Sequence, residues 1–447
     1  MIDHVAIVGA GFSGSLMAIN LVRHDGPRAT LIDRLAEPGT GLAYGAAHPE
    51  HLLNVRASNM SAFPDDPDHF VRWLDAQGIG AAADAFVPRL VYGDYLRALL
   101  EHAVRQSPGR LTVLRGDACD ITEDAKSIRL ANGDRVNADA AVLALGNLPP
   151  HPPSGVVVAA IGQNRYVGNC WSSGATDGLG PDDSVLVVGT GLTMVDVALS
   201  LEAKGFTGRI IALSRRGLVP LAHAPGPPWV RITERPTTQL SRLTSQLRAR
   251  GAEIGWRNAI DELRPFTQDM WRAASDEDRA RFIRHARPWW DIHRHRLAPQ
   301  VAKRIAALRS SGRLQVLAGR IAGTEDGANG VTVHWTPRGK DAREQLLVQR
   351  IINCTGPQGD LLQANEPILQ ALVARGSIRE DTGRLGIDVD AGMRTITAHG
   401  RVNDRLFALG PMTRGAFWEI VAVPDIRTQA WTLARHLSNA HWVTEGL

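Results

Sequence analysis

Val5-Ala6-Ile7-Val8-Gly9-Ala10-Gly11-Phe12-Ser13-Gly14 stands near the start of the chain and decides how the rest is read. Four apolar residues run straight into a complete G-x-G-x-x-G, and Leu16, Met17, Ile19, Leu21 and Val22 follow in a largely apolar helix. A buried parallel strand, a tight turn and a helix N-terminus therefore come in the order a dinucleotide pyrophosphate needs. Gly9 permits the turn, Gly11 lets the backbone approach phosphate, and Gly14 lets helix and strand pack closely, with Ser13 in the same loop. The next apolar run, Ala29-Thr30-Leu31-Ile32, ends in Asp33. A carboxylate at that place accepts a hydrogen bond from a ribose 2′-hydroxyl.

The same device recurs. Ser184 to Val188 lead into Gly189-Thr190-Gly191-Leu192-Thr193-Met194, and the following strand, Arg209 to Leu213, ends in Ser214-Arg215-Arg216. Each half then carries a β-rich stretch and an apolar strand closing on glycine, Ala141 to Gly146 in one and Ile351 to Gly356 in the other. Gly146-Asn147 and Thr355-Gly356 thus fall at strand ends, where ligands collect in such sheets. A carboxylate repels a 2′-phosphate whereas a hydroxyl and guanidiniums bind one. Asp33 therefore suits the adenosine of FAD, and Ser214, Arg215 and Arg216 suit NADPH. Met194 replaces the third glycine of the second loop, which loosens the fingerprint there.

The expected fold class is α/β: two Rossmann-like dinucleotide-binding domains, the second inserted in the first, with a helical cap. Residues 1–178 and 357–447 are assigned to the first domain and 179–356 to the second. The cap occupies about 225–312; its helical spacing shows at Leu240, Leu243, Leu247 and again at Val301, Ile305 and Leu308. The strand and helix after Gly356 return the chain to the first domain.

Composition is that of an ordinary globular enzyme. Of 447 residues, 44% are hydrophobic and 21% charged, and the net charge of +4 does not argue for nucleic acid. No apolar run reaches a membrane span. The first strand begins too early to leave room for a leader, and the three cysteines show no metal or disulfide spacing. A reducing cytoplasm is the expected location. No metal site is expected, and a homo-oligomer is left open.

Four motifs carry a family resemblance: G-x-G-x-S-G at Gly9–Gly14, G-L-A-Y at Gly41–Tyr44, H-L-L-N-V at His51–Val55 and G-T-G-L-T-M-V-D at Gly189–Asp196. Together with W-D-x-H-R-H-R at Trp290–Arg296, they resemble FAD/NAD(P)-binding flavoproteins with two dinucleotide domains. The resemblance covers nearly the whole chain. It lacks the cysteine pair of flavin disulfide reductases and the F-x-G-x-x-x-H of Baeyer–Villiger enzymes. What stays similar is the NADPH-dependent N-hydroxylating monooxygenase, which acts on an amine or amino acid with O2 through a peroxyflavin. An NADPH:acceptor reductase and a non-catalytic flavin sensor are the alternatives.

The resemblance implies that the loop 51–61 passes the flavin ring, with Asn54, Arg56 and Ser61 at its polar edge. It also places Gly410 and the N-terminus of the last helix, around Ile426, on the pyrimidine side. Pro411 stands where relatives often carry an aspartate. His293 and Arg296 form the best i, i+3 pair of the basic segment for an anionic substrate or a general acid. The tryptophans at 229, 256, 271, 289 and 290 suit either a water-excluding shield or a small helical core.

Overall fold

The computed structural model describes residues 2–172, 174–224 and 229–438. Among them, one sheet runs in the spatial order Arg394–Ile396, Val402–Ala408, Ala140–Leu143, His4–Val8, Arg28–Asp33 and Leu111–Arg115. All neighbours in it are parallel except the first pair. Val5, Ala6 and Ile7 are wholly buried, as a central parallel strand covered on both faces requires. The helices Phe12–Arg23 and Val423–Leu437 pack against each other beside this sheet. Val402–Ala408 pairs with Ala140–Leu143, so the chain does return to its first sheet at the end.

A second sheet runs in the order Glu344–Val348, Gly330–Pro337, Leu314–Gly327, Arg209–Ser214, Ser184–Val188, Arg350–Asn353 and Tyr166–Val167. Its parallel part, from Leu314–Gly327 onward, repeats the first sheet's device, and Tyr166–Val167 joins it from ahead of residue 179. Three short antiparallel strands, Ala118–Ile121, Ser127–Leu130 and Arg135–Asn137, form a separate sheet, with Gly133 at φ +94° in the Asn132-Gly133 turn between the last two.

The helical insertion follows Arg209–Ser214. It comprises Leu240–Ile254, Trp256–Leu263, Thr267–Ala273, Asp276–Arg281 and Arg287–Arg294, with a π-helical turn over Phe282–Ala286. Its expected start at 225–228 lies outside the described residues. One expectation is corrected here. The helix Pro299–Ser310 buries Val301, Ile305 and Leu308 in the second sheet's core, beside Met194 and Val195. It is the crossover helix between two parallel strands of that sheet, and its apolar spacing reports that packing rather than a cap. No helix among the described residues is long and apolar enough to cross a membrane.

Candidate functional site

Both glycine loops open at the C-terminal edge of their sheets. Gly9 sits at φ +104°, and a Cβ on it would come within 2.4 Å of the Ala144 carbonyl oxygen; one on Gly14 would come within 1.8 Å of the Gly9 oxygen. Glycine is obligatory at both places. Gly11, by contrast, meets nothing closer than Gly41 at 3.6 Å, and Gly191 faces open space. The helices that begin there, Phe12–Arg23 and Leu192–Ala203, have no side-chain cap and no acid in their first turns. Their leading amides are therefore left for an anion, which fits a pyrophosphate at each.

The two caps Gly11 and Gly191 have nearly the same torsions, φ −74° and ψ −167° against φ −84° and ψ −163°. Met194, fully buried inside its helix, does not disturb the loop. The register is shared as well: Val8 pairs with Ile32, and Val188 with Leu213. Asp33 and Ser214 thus occupy the same place beside their loops. The Asp33 carboxylate accepts from the Ala10 amide at 2.5 Å and the Leu35 amide at 2.8 Å. The Ser214 hydroxyl instead bonds Thr190 Oγ1 at 2.8 Å and accepts from the Gly217 amide at 3.0 Å. Only the second loop lacks a negative charge at this position.

The two guanidiniums after Ser214 diverge. Arg216 donates to the carbonyls of His285 and Arg284, at 3.0 and 3.4 Å, in the π-helical turn of the cap. Arg215 is exposed and makes no hydrogen bond or ion pair among the described residues. Thr193 lies half-buried in the first turn of its helix. The Thr355 hydroxyl and amide are both tied to the Asn353 side chain, while Gly356 (φ +86°) and Gly146 (φ +71°) have open space beside them. Gly410 closes on the first loop: a Cβ there would meet Ser13 Oγ at 2.4 Å. Its amide donates to Gln429.

Several expected site residues have other duties. The Ser61 hydroxyl is engaged with the backbone of Phe63 and Asp66, so it caps a turn. The Ile426 amide is bonded to the Ala422 carbonyl, leaving none for a ligand. The helix carrying His293 ends at Arg294, so Arg296 is not on its face. Arg296, 4% exposed, instead grips both oxygens of Asp261, at 2.8 and 3.0 Å. His293 bonds the Trp289 carbonyl and stands edge-on to Trp256. That pair therefore builds the cap and does not face a shared site. Asn54 offers its carbonyl to His223, and Arg56 is exposed.

The loop around Asn54 clamps the two sheets together. The Arg89 guanidinium meets both oxygens of Asp196 at 2.9 and 3.0 Å, with Nε on the Leu52 carbonyl. His51 accepts from the His48 amide through Nδ1, so Nε2–H donates to the Asp196 carbonyl at 2.9 Å. Burial keeps that imidazole's pKa below its ordinary value. The H-L-L-N-V and G-T-G-L-T-M-V-D motifs meet here, across the domain junction.

A second cluster, absent from the sequence expectations, joins the cap to residues 414–425. Trp271 stacks on Trp418 with centroids 4.6 Å apart and donates to the Gly415 carbonyl; Trp290 donates to Glu419 at 2.8 Å. Glu419 is buried at φ +69°, a left-handed position unusual for a side chain this long. Burial alone would raise its pKa, but His295, Arg294, Trp290 and Arg414 hold it below the usual range. Nearby, burial pushes Asp425 up to about 6 against the pull of Arg264 and Arg294. The signal was present as Gly415-Ala416-Phe417-Trp418-Glu419 beside Pro424-Asp425, but only contact across the fold gives these residues a partner.

The fold is α/β with two Rossmann-like parallel sheets, each opening on a glycine loop at the start of a helix. Residues 6–148 match the family model described as FAD-NAD(P)-binding. No curated protein matches the chain. Among solved structures it is similar to L-lysine 6-monooxygenase from Pseudomonas syringae, at 16% identity and TM-score 0.68, covering 99% of this chain and 100% of that one. The reduced form of ornithine hydroxylase from Pseudomonas aeruginosa aligns at 15% identity and TM-score 0.63, covering 98% and 99%. An FAD-bound cadaverine monooxygenase from Erwinia amylovora aligns at 12% and 0.68, covering 98% and 95%. At such identities the likeness is one of fold, and it extends over both domains and the cap.

Proposed function

We propose that this chain binds FAD on its first glycine loop and NADPH on its second, and hydroxylates the nitrogen of a small amine or amino acid with O2. The observation that carries the nucleotide assignment is the shared register of Asp33 and Ser214, a carboxylate in one loop and a hydroxyl followed by exposed Arg215 in the other. Arg215 is the candidate for the 2′-phosphate, and Arg216 holds the cap over that domain. Flavin, when bound, supplies hydride acceptance from the nicotinamide and the activation of oxygen. The protein's part is positioning and exclusion of water. The Arg89–Asp196 and His51–Asp196 contacts fix one domain against the other, and the Trp271–Trp418 stack seals the cap on the C-terminal segment. The solved neighbours named above act on lysine, ornithine and cadaverine, which supports an amine nitrogen as the target.

The test is product balance. FAD-loaded protein supplied with NADPH, oxygen and a panel of short diamines and diamino acids is expected to form an N-hydroxylated product in step with NADPH consumed. Hydrogen peroxide in stoichiometric yield with every member of the panel would instead favour an NADPH:acceptor reductase.

A further inference from the structure

Cys170 and Cys354 stand far apart in the chain, and the second sheet brings them together. Tyr166–Val167 pairs in parallel with Arg350–Asn353, the last matched residues being Val167 and Ile352. Cys170 comes three residues after the first of these and Cys354 two after the second, so both leave the same edge of the sheet from neighbouring strands. Neighbouring strands run about 4.8 Å apart, inside the Cα separation of about 4.4–6.8 Å that a disulfide spans. Cys170 packs against the core cluster that contains Cys354, and the two thiols are within hydrogen-bonding reach. Their surroundings differ. Cys354 is 4% exposed; its amide donates to the Val188 carbonyl at 2.8 Å, and its own carbonyl lies against Gly189, where a Cβ would collide with it. Cys170 is half-buried in the turn 169–172, next to Trp171, which stands edge-on to His51. The Cys354 thiol donating to Cys170 holds that sulfur below its ordinary pKa, whereas burial pushes Cys354 well up. One sulfur is thus an accessible nucleophile, and the other is placed to react with it.

We propose that Cys170 and Cys354 form a modification site at which hydrogen peroxide makes a reversible disulfide, tying the connector at 168–172 to the strand end beneath the second glycine loop. The Cys170 thiolate attacks one peroxide oxygen and the O–O bond breaks. Cys170 becomes a sulfenic acid, and the departing hydroxide takes up the proton that Cys170 had lost, giving water. The Cys354 sulfur then attacks the Cys170 sulfur, the S–O bond breaks, and the Cys354 proton leaves with the hydroxide as a second water. Two thiols and one peroxide thus give one disulfide and two waters, the sulfurs losing the two electrons that the peroxide gains. A dithiol reverses the bond by exchange. Peroxide also forms when O2 takes electrons from a reduced flavin without oxygenating a substrate, so idle turnover is one source of the oxidant. The inference goes beyond the N-hydroxylase reading and does not rest on it.

The test starts from the full chain reduced with dithiothreitol and freed of it under argon, when it holds three thiols. Hydrogen peroxide is expected to remove two of the three, counted with a chromogenic disulfide reagent after denaturation. The thiol retained should be Cys119, which lies in the separate three-stranded sheet and donates to the Arg129 carbonyl. Peptide mass spectrometry is expected to join the segments holding Cys170 and Cys354 with the loss of two hydrogens, and dithiothreitol to restore both thiols. Cys170→Ser should keep both of its remaining thiols under the same treatment, because Cys354 is buried. Cys354→Ser should stop Cys170 at the sulfenic acid, which dimedone traps. Cys170 is the more exposed of the pair, so its variant keeps the test open should Cys354→Ser impair the core. Three thiols surviving peroxide, a bridge to Cys119 or between two copies, or a Cys170→Ser variant that loses thiols at the wild-type rate would overturn the proposal. So would oxidation of Cys170 to the sulfinic acid with Cys354 left free, which would show that the two sulfurs do not meet.

Discussion

Asp425 shows what one buried carboxyl does to the whole chain's response to pH. Its pKa is raised to about 6, so between about pH 4 and pH 6 the folded protein holds a proton that the unfolded one has released. Stability from this group therefore falls as pH rises through that window and is flat above it. Asp425→Asn keeps the shape and removes the titration. The variant should gain on the wild type progressively from pH 4 to about pH 6, reaching on the order of 2–3 kcal/mol, and then hold that lead. Thermal unfolding of both proteins across the pH range measures it, and an offset independent of pH would count against the assignment. Single residues were legible in the sequence where a backbone rule dictated them. Gly9 and Gly14 stand where the tight strand–turn–helix leaves no room for a Cβ, and Asp33 ends the next strand beside that turn. Ser61, Ile426 and Arg296 were not legible, because their duties are hydrogen bonds to partners that no local pattern names.

At the scale of elements, the ion pair between Arg89 and Asp196 ties the helix Arg89–Gln106 to Leu192–Ala203 across the junction. The side chains are 15% and 8% exposed. Removing one partner strands a buried charge, which costs about 3–5 kcal/mol, whereas replacing both with apolar groups removes most of that cost. Arg89→Met alone should therefore lower the melting temperature more than Arg89→Met with Asp196→Leu. A double variant melting below the single one would show that the contact acts in some other way. Helix positions in the two nucleotide domains were readable from apolar spacing, and so was the duplication. The spacing of Pro299–Ser310 does not tell a crossover helix from a cap helix, because both present the same apolar stripe and only the partner differs. The π-helical turn at Phe282–Ala286 leaves carbonyls that Arg216 takes up, and no sequence period foretells such a contact.

For the molecule as a whole, the order of elements made the two-domain design legible, while the way the cap closes was not. Trp271, Trp290, Arg294 and His295 all act through Glu419 or its neighbours, more than a hundred residues away in sequence. Cys170 and Cys354, far apart in the chain, likewise come within hydrogen-bonding reach of each other. The central claim is that one polypeptide seats two different adenylates, separated by an acid in one loop and an arginine beside the other. Anaerobic mixing of the FAD-loaded protein with NADPH or NADH, for wild type and Arg215→Ala, tests it most directly. NADPH should bleach the wild-type flavin at far lower concentration than NADH. Arg215→Ala should raise the NADPH requirement about 10- to 100-fold and leave NADH nearly unchanged. A protein that takes up no flavin, or an arginine variant that affects both nucleotides equally, would contradict the claim.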